Sequence, residues 1–177
     1  ASLNFQDKEI VLYFDEFVRL VDMTNQLIVS PKMKTQPEVE TNGKKIIVSL
    51  KNSELAPNTT YRINFGNSLA DMHEGNVLKG FEYTFSTGAY IDTLRIEGTL
   101  TEAFNGKPVP DALVSLYNNV KPHDSLIYVR EPDYIAKSNA SGEFAFSNLP
   151  YSRYKMFALL DKNKNELYDG ESEKVAF

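Results

Sequence analysis

The sequence predicts an all-β protein made of two β-sandwiches in tandem, on three observations. Apolar residues recur at every second position in several short runs, the period of a half-buried strand rather than of a helix. Turn-forming residues separate those runs at short intervals. The pattern breaks once, at Ser86-Thr-Gly88-Ala-Tyr90, and then restarts. Hydrophobic residues make up 42% of the 177 and aromatics 12%, enough to fill packed cores.

In the first half, Ile46, Val48 and Leu50 fall on one strand face. Tyr61, Ile63 and Phe65 alternate with Arg62 and Asn64, and Phe81, Tyr83 and Phe85 with Glu82, Thr84 and Ser86. Asn42-Gly43, Ala56-Pro57-Asn58 and Glu74-Gly75-Asn76 supply the turns. After the break, Leu94 and Ile96 alternate with Arg95 and Glu97. Residues 112–117, 126–129, 144–146 and 154–160 read as further strands, with tight turns at Asn105-Gly106 and Ser141-Gly142. Phe17 to Met23 is the one helical candidate, too short to carry a helical fold. The domains are therefore 1–88 and 89–177, joined near Gly88–Asp92 by a very short linker that limits their relative motion. The chain begins at Ala1 and stops inside the apolar run Lys174-Val-Ala-Phe177. It reads as a processed or cloned fragment of a longer protein, with the second domain truncated at its C-terminus.

Composition excludes several functions. A net charge of −5, with no basic run longer than Lys44-Lys45, argues against nucleic-acid binding. The absence of cysteine removes disulfides, thiol catalysis and cysteine-based zinc sites. No apolar stretch approaches the roughly 20 residues of a membrane helix. His73 and His123 are too far apart in sequence to share a metal-ligand spacing, and neither a Gly-x-Ser-x-Gly elbow nor a phosphate-binding glycine loop is present. These features point away from an enzyme.

Residues Glu9 to Gly88 resemble a bacterial Ig-like domain of the type found in S-layer proteins. The carriers are Ile10-Val-Leu-Tyr-Phe14-Asp-Glu16, Leu55-Ala-Pro57-Asn-Thr-Thr-Tyr61, Leu69-Ala-Asp71-Met-His-Glu-Gly75-Asn76 and Tyr83-Thr-Phe85-Ser-Thr87-Gly88. Residues 92–177 are similar to the transthyretin-like (prealbumin-like) sandwich of carboxypeptidase regulatory-like domains. This second resemblance rests on Ile96-Glu-Gly98-Thr-Leu, Lys107-Pro108-Val-Pro-Asp-Ala112-Leu-Val114 and Ser141-Gly142-Glu-Phe144-Ala-Phe146-Ser-Asn-Leu149-Pro150. Related pilus domains join a first-strand lysine to a last-strand asparagine. Residues 94–100 contain no lysine, so no isopeptide bond is expected. The tandem resembles a class of Bacteroidota-type envelope lipoproteins, which implies an extracytoplasmic location in the periplasm or at the outer-membrane surface. It also implies a lipidated cysteine upstream as the only membrane anchor.

One segment has recognisable site chemistry. From Asp161 to Glu173 an oxygen-bearing side chain stands at nearly every second position, and five carboxylates against two lysines leave a formal charge of −3. Hard cations such as Ca²⁺ take six to eight oxygen ligands, which closely spaced Asp and Asn side chains can supply from one loop. Counting Asp161 as the first position, Asn163 and Asn165 are third and fifth, the Leu167 carbonyl seventh and Asp169 ninth. An EF-hand would want Gly at the sixth position and Glu at the twelfth. Glu166 and Ser172 stand there instead, so the loop is not an EF-hand, and Glu173 becomes the closing carboxylate. The expected role is a structural Ca²⁺ staple; the plainer reading is a solvated, Asx-rich turn.

Other acidic pairs, Asp15-Glu16 and Asp71 with Glu74, read as strand-end and loop charges rather than a glycosidase dyad. Seven of the ten tyrosines lie in the second half, where exposed rings could stack on sugars. Tyr128 and Tyr134, flanking Arg130-Glu-Pro132-Asp, are the candidate glycan contacts; the plainer reading puts the tyrosines in or around the core. The sequence therefore predicts a non-enzymatic envelope module whose partner is an unidentified envelope protein or glycan. The alternative is a carbohydrate-binding accessory module. A peptidase-regulatory role would follow only from a fold name.

Overall fold

The computed structural model describes residues 1–118, 125–170 and 172–176. The chain divides into two compact units, Ala1–Ile91 and Asp92–Phe177. His123, one of the two histidines considered above, and Glu171 lie outside the described residues.

The first unit contains β1 (Glu9–Tyr13), β2 (Val18–Leu20), α1 (Met23–Gln26), β3 (Ile28–Ser30), β4 (Glu38–Asn42), β5 (Lys45–Ser49), β6 (Thr60–Asn64), β7 (Leu69–Asp71), β8 (Val77–Leu78) and β9 (Glu82–Ser86). They form three antiparallel sheets, ordered β1-β5-β4, β2-β7-β8 and β3-β6-β9. The alternation of β5 does what period two requires: Ile46 and Val48 are fully buried and face Leu12 and Ile10 of β1 in register. Gly43, at φ 63°, lets the chain reverse between Asn42 and Lys45 in a two-residue loop. In β6, Tyr61 and Ile63 point into the same core, continued by Phe65. The Tyr61 ring stacks on its cross-strand partner Phe85 at 5.3 Å, and the Phe5 ring meets Phe85 at a tilt, 4.5 Å away.

The second unit contains β10 (Leu94–Thr99), β11 (Leu113–Asn118), α2 (Leu126–Val129), β12 (Tyr134–Lys137), β13 (Glu143–Leu149), β14 (Tyr154–Leu159) and β15 (Val175–Ala176). Its sheets are β12-β11-β14-β15 and the pair β10-β13. The two sheets share one core: Val114, Leu116 and Ala158 of the larger meet Phe144, Phe146 and Leu149 of the smaller. Strand β11 is buried at every position from Leu113 to Tyr117 because its second face is covered as well. There Tyr117 packs with Ile127 of α2 and Phe157 of β14 in a separate small cluster. A strand covered on both faces reads as a nearly continuous apolar run, as residues 112–117 do with only Ser115 polar before Tyr117.

Two local expectations are corrected. Phe17 to Met23 is not helical: Val18–Leu20 is a strand paired with β7, and helix begins only at Met23. Val18 and Leu20 alternate with Arg19, so the pairing of β2 overrides the weak helical pattern. Residues 126–129 form a helical turn instead of a strand, closed by the N–H of Arg130 donating to Leu126 O. A four-residue apolar run satisfies either period, and only Ile127 needs burial here.

Candidate functional site: the Asx-rich loop between β14 and β15

Strand β14 pairs with β15 through Leu159 and Val175, and the N–H of Leu160 donates to Lys174 O at 2.9 Å. The loop they enclose is organised by its own side chains. Asp161 Oδ1 accepts from the backbone N–H of Lys164 at 2.7 Å and of Asn165 at 3.3 Å, while its Oδ2 accepts from Glu166 at 2.8 Å. Asn163 Oδ1 then accepts from Asn165 N–H at 3.2 Å, and Asn165 Oδ1 from Leu167 N–H at 2.9 Å. Two overlapping Asx turns, at Asn163 and Asn165, follow the wider bridge from Asp161, which is why Asp and Asn recur with a spacing of two.

This winding sets Lys164 at φ 61° and Glu166 at φ 63°. Glu166 holds the sixth position, where an EF-hand uses Gly for a sharp turn, so the turn is made here without glycine. The side-chain amides of Asn163 and Asn165 donate to Asp169 Oδ2 at 2.6 and 2.9 Å, drawing the ninth position onto the third and fifth.

Glu173 closes the loop. Its carboxylate is 5% exposed and accepts from the backbone N–H of Lys162 at 2.9 Å and of Asp169 at 3.1 Å. A buried carboxylate needs such partners, and here it ties the first turn of the loop to its last. Asp161, Asn163, Asn165, Asp169 and Glu173 thus meet in one network, with Leu167 bound into it through its N–H. These closing contacts come from Glu173, one residue past the EF-hand closing position.

The donor set is chemically suited to a hard cation, being all oxygen. Each Asn Oδ1 spends one lone pair on a backbone N–H and keeps a second. The arrangement is not a preformed carboxylate cage, because no three carboxylate or imidazole groups among the described residues converge on one metal position. Two side-chain amide N–H groups meet Asp169.

Sequence reasoning missed the way this loop is attached. Tyr168, between the seventh and ninth positions, donates its backbone N–H to Ile127 O of α2 at 2.7 Å. Its ring meets Tyr128 edge-on at 5.1 Å. The signal available was an aromatic residue placed between two candidate ligands. Lys174, just past the loop, pairs with Glu102 at 2.7 Å.

The candidate glycan pair does not form an exposed platform. Tyr134 is 5% exposed and packs edge-on against Tyr154 within the core, 6.0 Å away, whereas Tyr128 is 52% exposed. Tyr134 lies opposite Leu116 in the β11–β12 ladder, and that register turns its ring inward.

In the first unit, Asp15-Glu16 and Asp71 with Glu74 come together around one open cavity of about 310 Å³, together with Phe17, Lys44 and His73. Asp71 and Lys44 are engaged in local structure. Asp71 accepts from the backbone N–H groups of His73, at 3.1 Å, and Glu74, and these two bonds hold its carboxyl below the usual carboxylate range. Lys44 donates to Asp15 O at 2.6 Å. The His73 ring meets Phe17 edge-on at 5.8 Å.

Residues 1–87 match the family model of the bacterial Ig-like domain. The first unit is thus similar to that family over residues 1–87. No curated protein matches the chain. Two solved structures do: BcpA, the major pilin subunit of Bacillus cereus, and a point variant of it, at 17% and 16% identity. Each covers 85% of this chain, which spans about half (47%) of theirs, with a TM-score of 0.29. Overlap that low carries no argument about fold or function.

Proposed function

We propose that this chain is a non-enzymatic structural module of the bacterial cell envelope, its first unit an Ig-like spacer and its second a transthyretin-like sandwich stapled by Ca²⁺. The observation that carries the reading is the loop from Asp161 to Glu173. Six residues of an all-oxygen donor set are wound by Asx turns into the backbone path a cation loop needs, and the last of them is anchored beside β15. Bound there, Ca²⁺ would supply positive charge to a segment of formal charge −3 and cross-link the two ends of a strand connection. The bacterial Ig-like match supports the surface location of the first unit. Two antiparallel sheets around one core support the transthyretin-like reading of the second. Attachment through an upstream lipidated cysteine, in a Bacteroidota-type envelope, completes the proposal.

Isothermal titration with CaCl₂, with MgCl₂ as control, tests the site directly. The expected result is one site with Kd of about 10⁻⁴–10⁻³ M, the range of extracellular calcium modules, abolished in Asp161→Ala. A flat titration of the wild type at millimolar Ca²⁺ would overturn the calcium part of the proposal.

A further inference from the structure

Helix α2 is a single turn, held by the N–H groups of Tyr128 and Arg130 donating to Ser125 O and Leu126 O at 3.1 and 3.0 Å. One helical turn is unstable alone, since nucleation fixes several residues for a bond or two. Tertiary anchors must hold it, and they lie on two sides. On the β11 side, Tyr117 OH donates to Arg130 O at 3.1 Å and the Arg130 guanidinium pairs with Asp133 at 2.7 Å. On the other side the anchor is Tyr168, through the 2.7 Å bond to Ile127 O and the ring contact with Tyr128. Tyr168 and Val175 of β15 also pack against the buried cluster that contains Ile127.

Tyr168 sits between Leu167 and Asp169, so it cannot keep its place if the loop loses its winding. Meanwhile α2 presents Tyr128 and Val129 outward, 52% and 75% exposed. We propose that the 161–173 loop and α2 form one conformational unit joined at Tyr168, so that the order of the loop fixes how Tyr128 and Val129 are presented. The inference rests on the calcium reading for its effector, since Ca²⁺ is the ligand that would set the order of the loop. The mechanical link does not depend on the ion. The loop thereby becomes a control element for a surface formed by a different part of the chain, as well as a staple.

Hydrogen–deuterium exchange of the whole chain separates the two ideas, with the amides of Tyr128, Arg130 and Tyr168 as reporters and β1–β9 as internal control. Asp161→Ala should speed exchange in the loop and at all three reporters by about tenfold or more, with β1–β9 unchanged. Tyr168→Ala should free the α2 amides while the amides of residues 164–166 that donate to Asp161 stay protected, and Tyr168→Phe should resemble the wild type. Loop amides freed by Asp161→Ala with α2 still protected would overturn the inference. In the wild type, 5 mM Ca²⁺ should slow exchange in both segments. Protection of the loop alone would sink the coupling and leave the calcium site standing. No calcium effect, with the Asp161→Ala result as expected, would sink the ion and leave the coupling.

Discussion

Glu173 accepts a hydrogen bond from the backbone N–H of Lys162, eleven residues earlier, at 2.9 Å, and this contact ties the two ends of the connection between β14 and β15. The other carboxylate oxygen holds Asp169 N–H at 3.1 Å. Hydrogen bonds to a buried charge are among the stronger ones, and removing one partner strands the other.

Glu173→Gln should therefore lower the stability of the second unit by about 1–3 kcal/mol. The amide keeps one acceptor but turns an N–H₂ toward a backbone donor. Chemical denaturation would measure it, and a midpoint equal to wild type would show that the carboxylate does not hold the loop.

Two phenols of the second unit, buried Tyr117 and half-buried Tyr154, set an alkaline limit. Burial, reinforced by Asp133 and Glu166 and partly offset by Arg130, raises Tyr117 from 10.0 to about 12. Burial, with Asp92 and Asp133 adding to it, raises Tyr154 to about 12. Both folded values lie above the unfolded value, so the contribution is whole below pH 10 and is lost as pH rises through about 12. Ultraviolet titration of the native protein should show these two phenols ionising only near pH 12, with the second unit losing stability over the same window.

Two glycines with similar backbone angles should respond differently to alanine. Gly142 (φ 75°) lies against the chain, and a Cβ there would collide with Leu100 O; Gly106 (φ 67°) has nothing within 4 Å. Gly142→Ala should cost about 2–5 kcal/mol, combining left-handed strain with a clash. Gly106→Ala carries only the strain, about 1 kcal/mol. Equal losses would contradict the close approach of the 139–142 turn to Leu100.

Tyr134→Ala should destabilise the second unit by about 3–5 kcal/mol, the cost of removing a large core ring. Tyr128→Ala should change stability by under about 1 kcal/mol. Comparable effects would mean that the ring of Tyr134 is not in the core.

The strands of this protein were legible wherever one face is buried and the other wet. Ile46, Val48 and Leu50 announced β5 by alternation, as Tyr61, Ile63 and Phe65 announced β6. Short elements were not legible. Val18–Leu20 is fixed by pairing with residues some fifty positions away, and no local pattern records that. The helical turn at 126–129 follows from the need to cover Tyr117 and Phe157, which is a tertiary demand. In the loop, the spacing of Asp161, Asn163 and Asn165 was readable because Asx turns have a local repeat. The contact of Tyr168 with Ile127 was not, since it joins segments forty-one residues apart. Tyr134 faced the core because its register with Leu116 decides which side it takes, and one residue of slip would have exposed it.

The central claim is tested most directly by thermal unfolding of the wild type in 1 mM CaCl₂ and in EDTA at constant ionic strength. A site with Kd of about 10⁻⁴–10⁻³ M adds about 0.4–1.4 kcal/mol at that concentration. For a unit of this size that is a rise of about 2–10 °C in the Tm of the second unit, absent in Asp161→Ala. Identical Tm values in calcium and EDTA would contradict the account and leave Glu173 and the Asx turns as the whole of the staple.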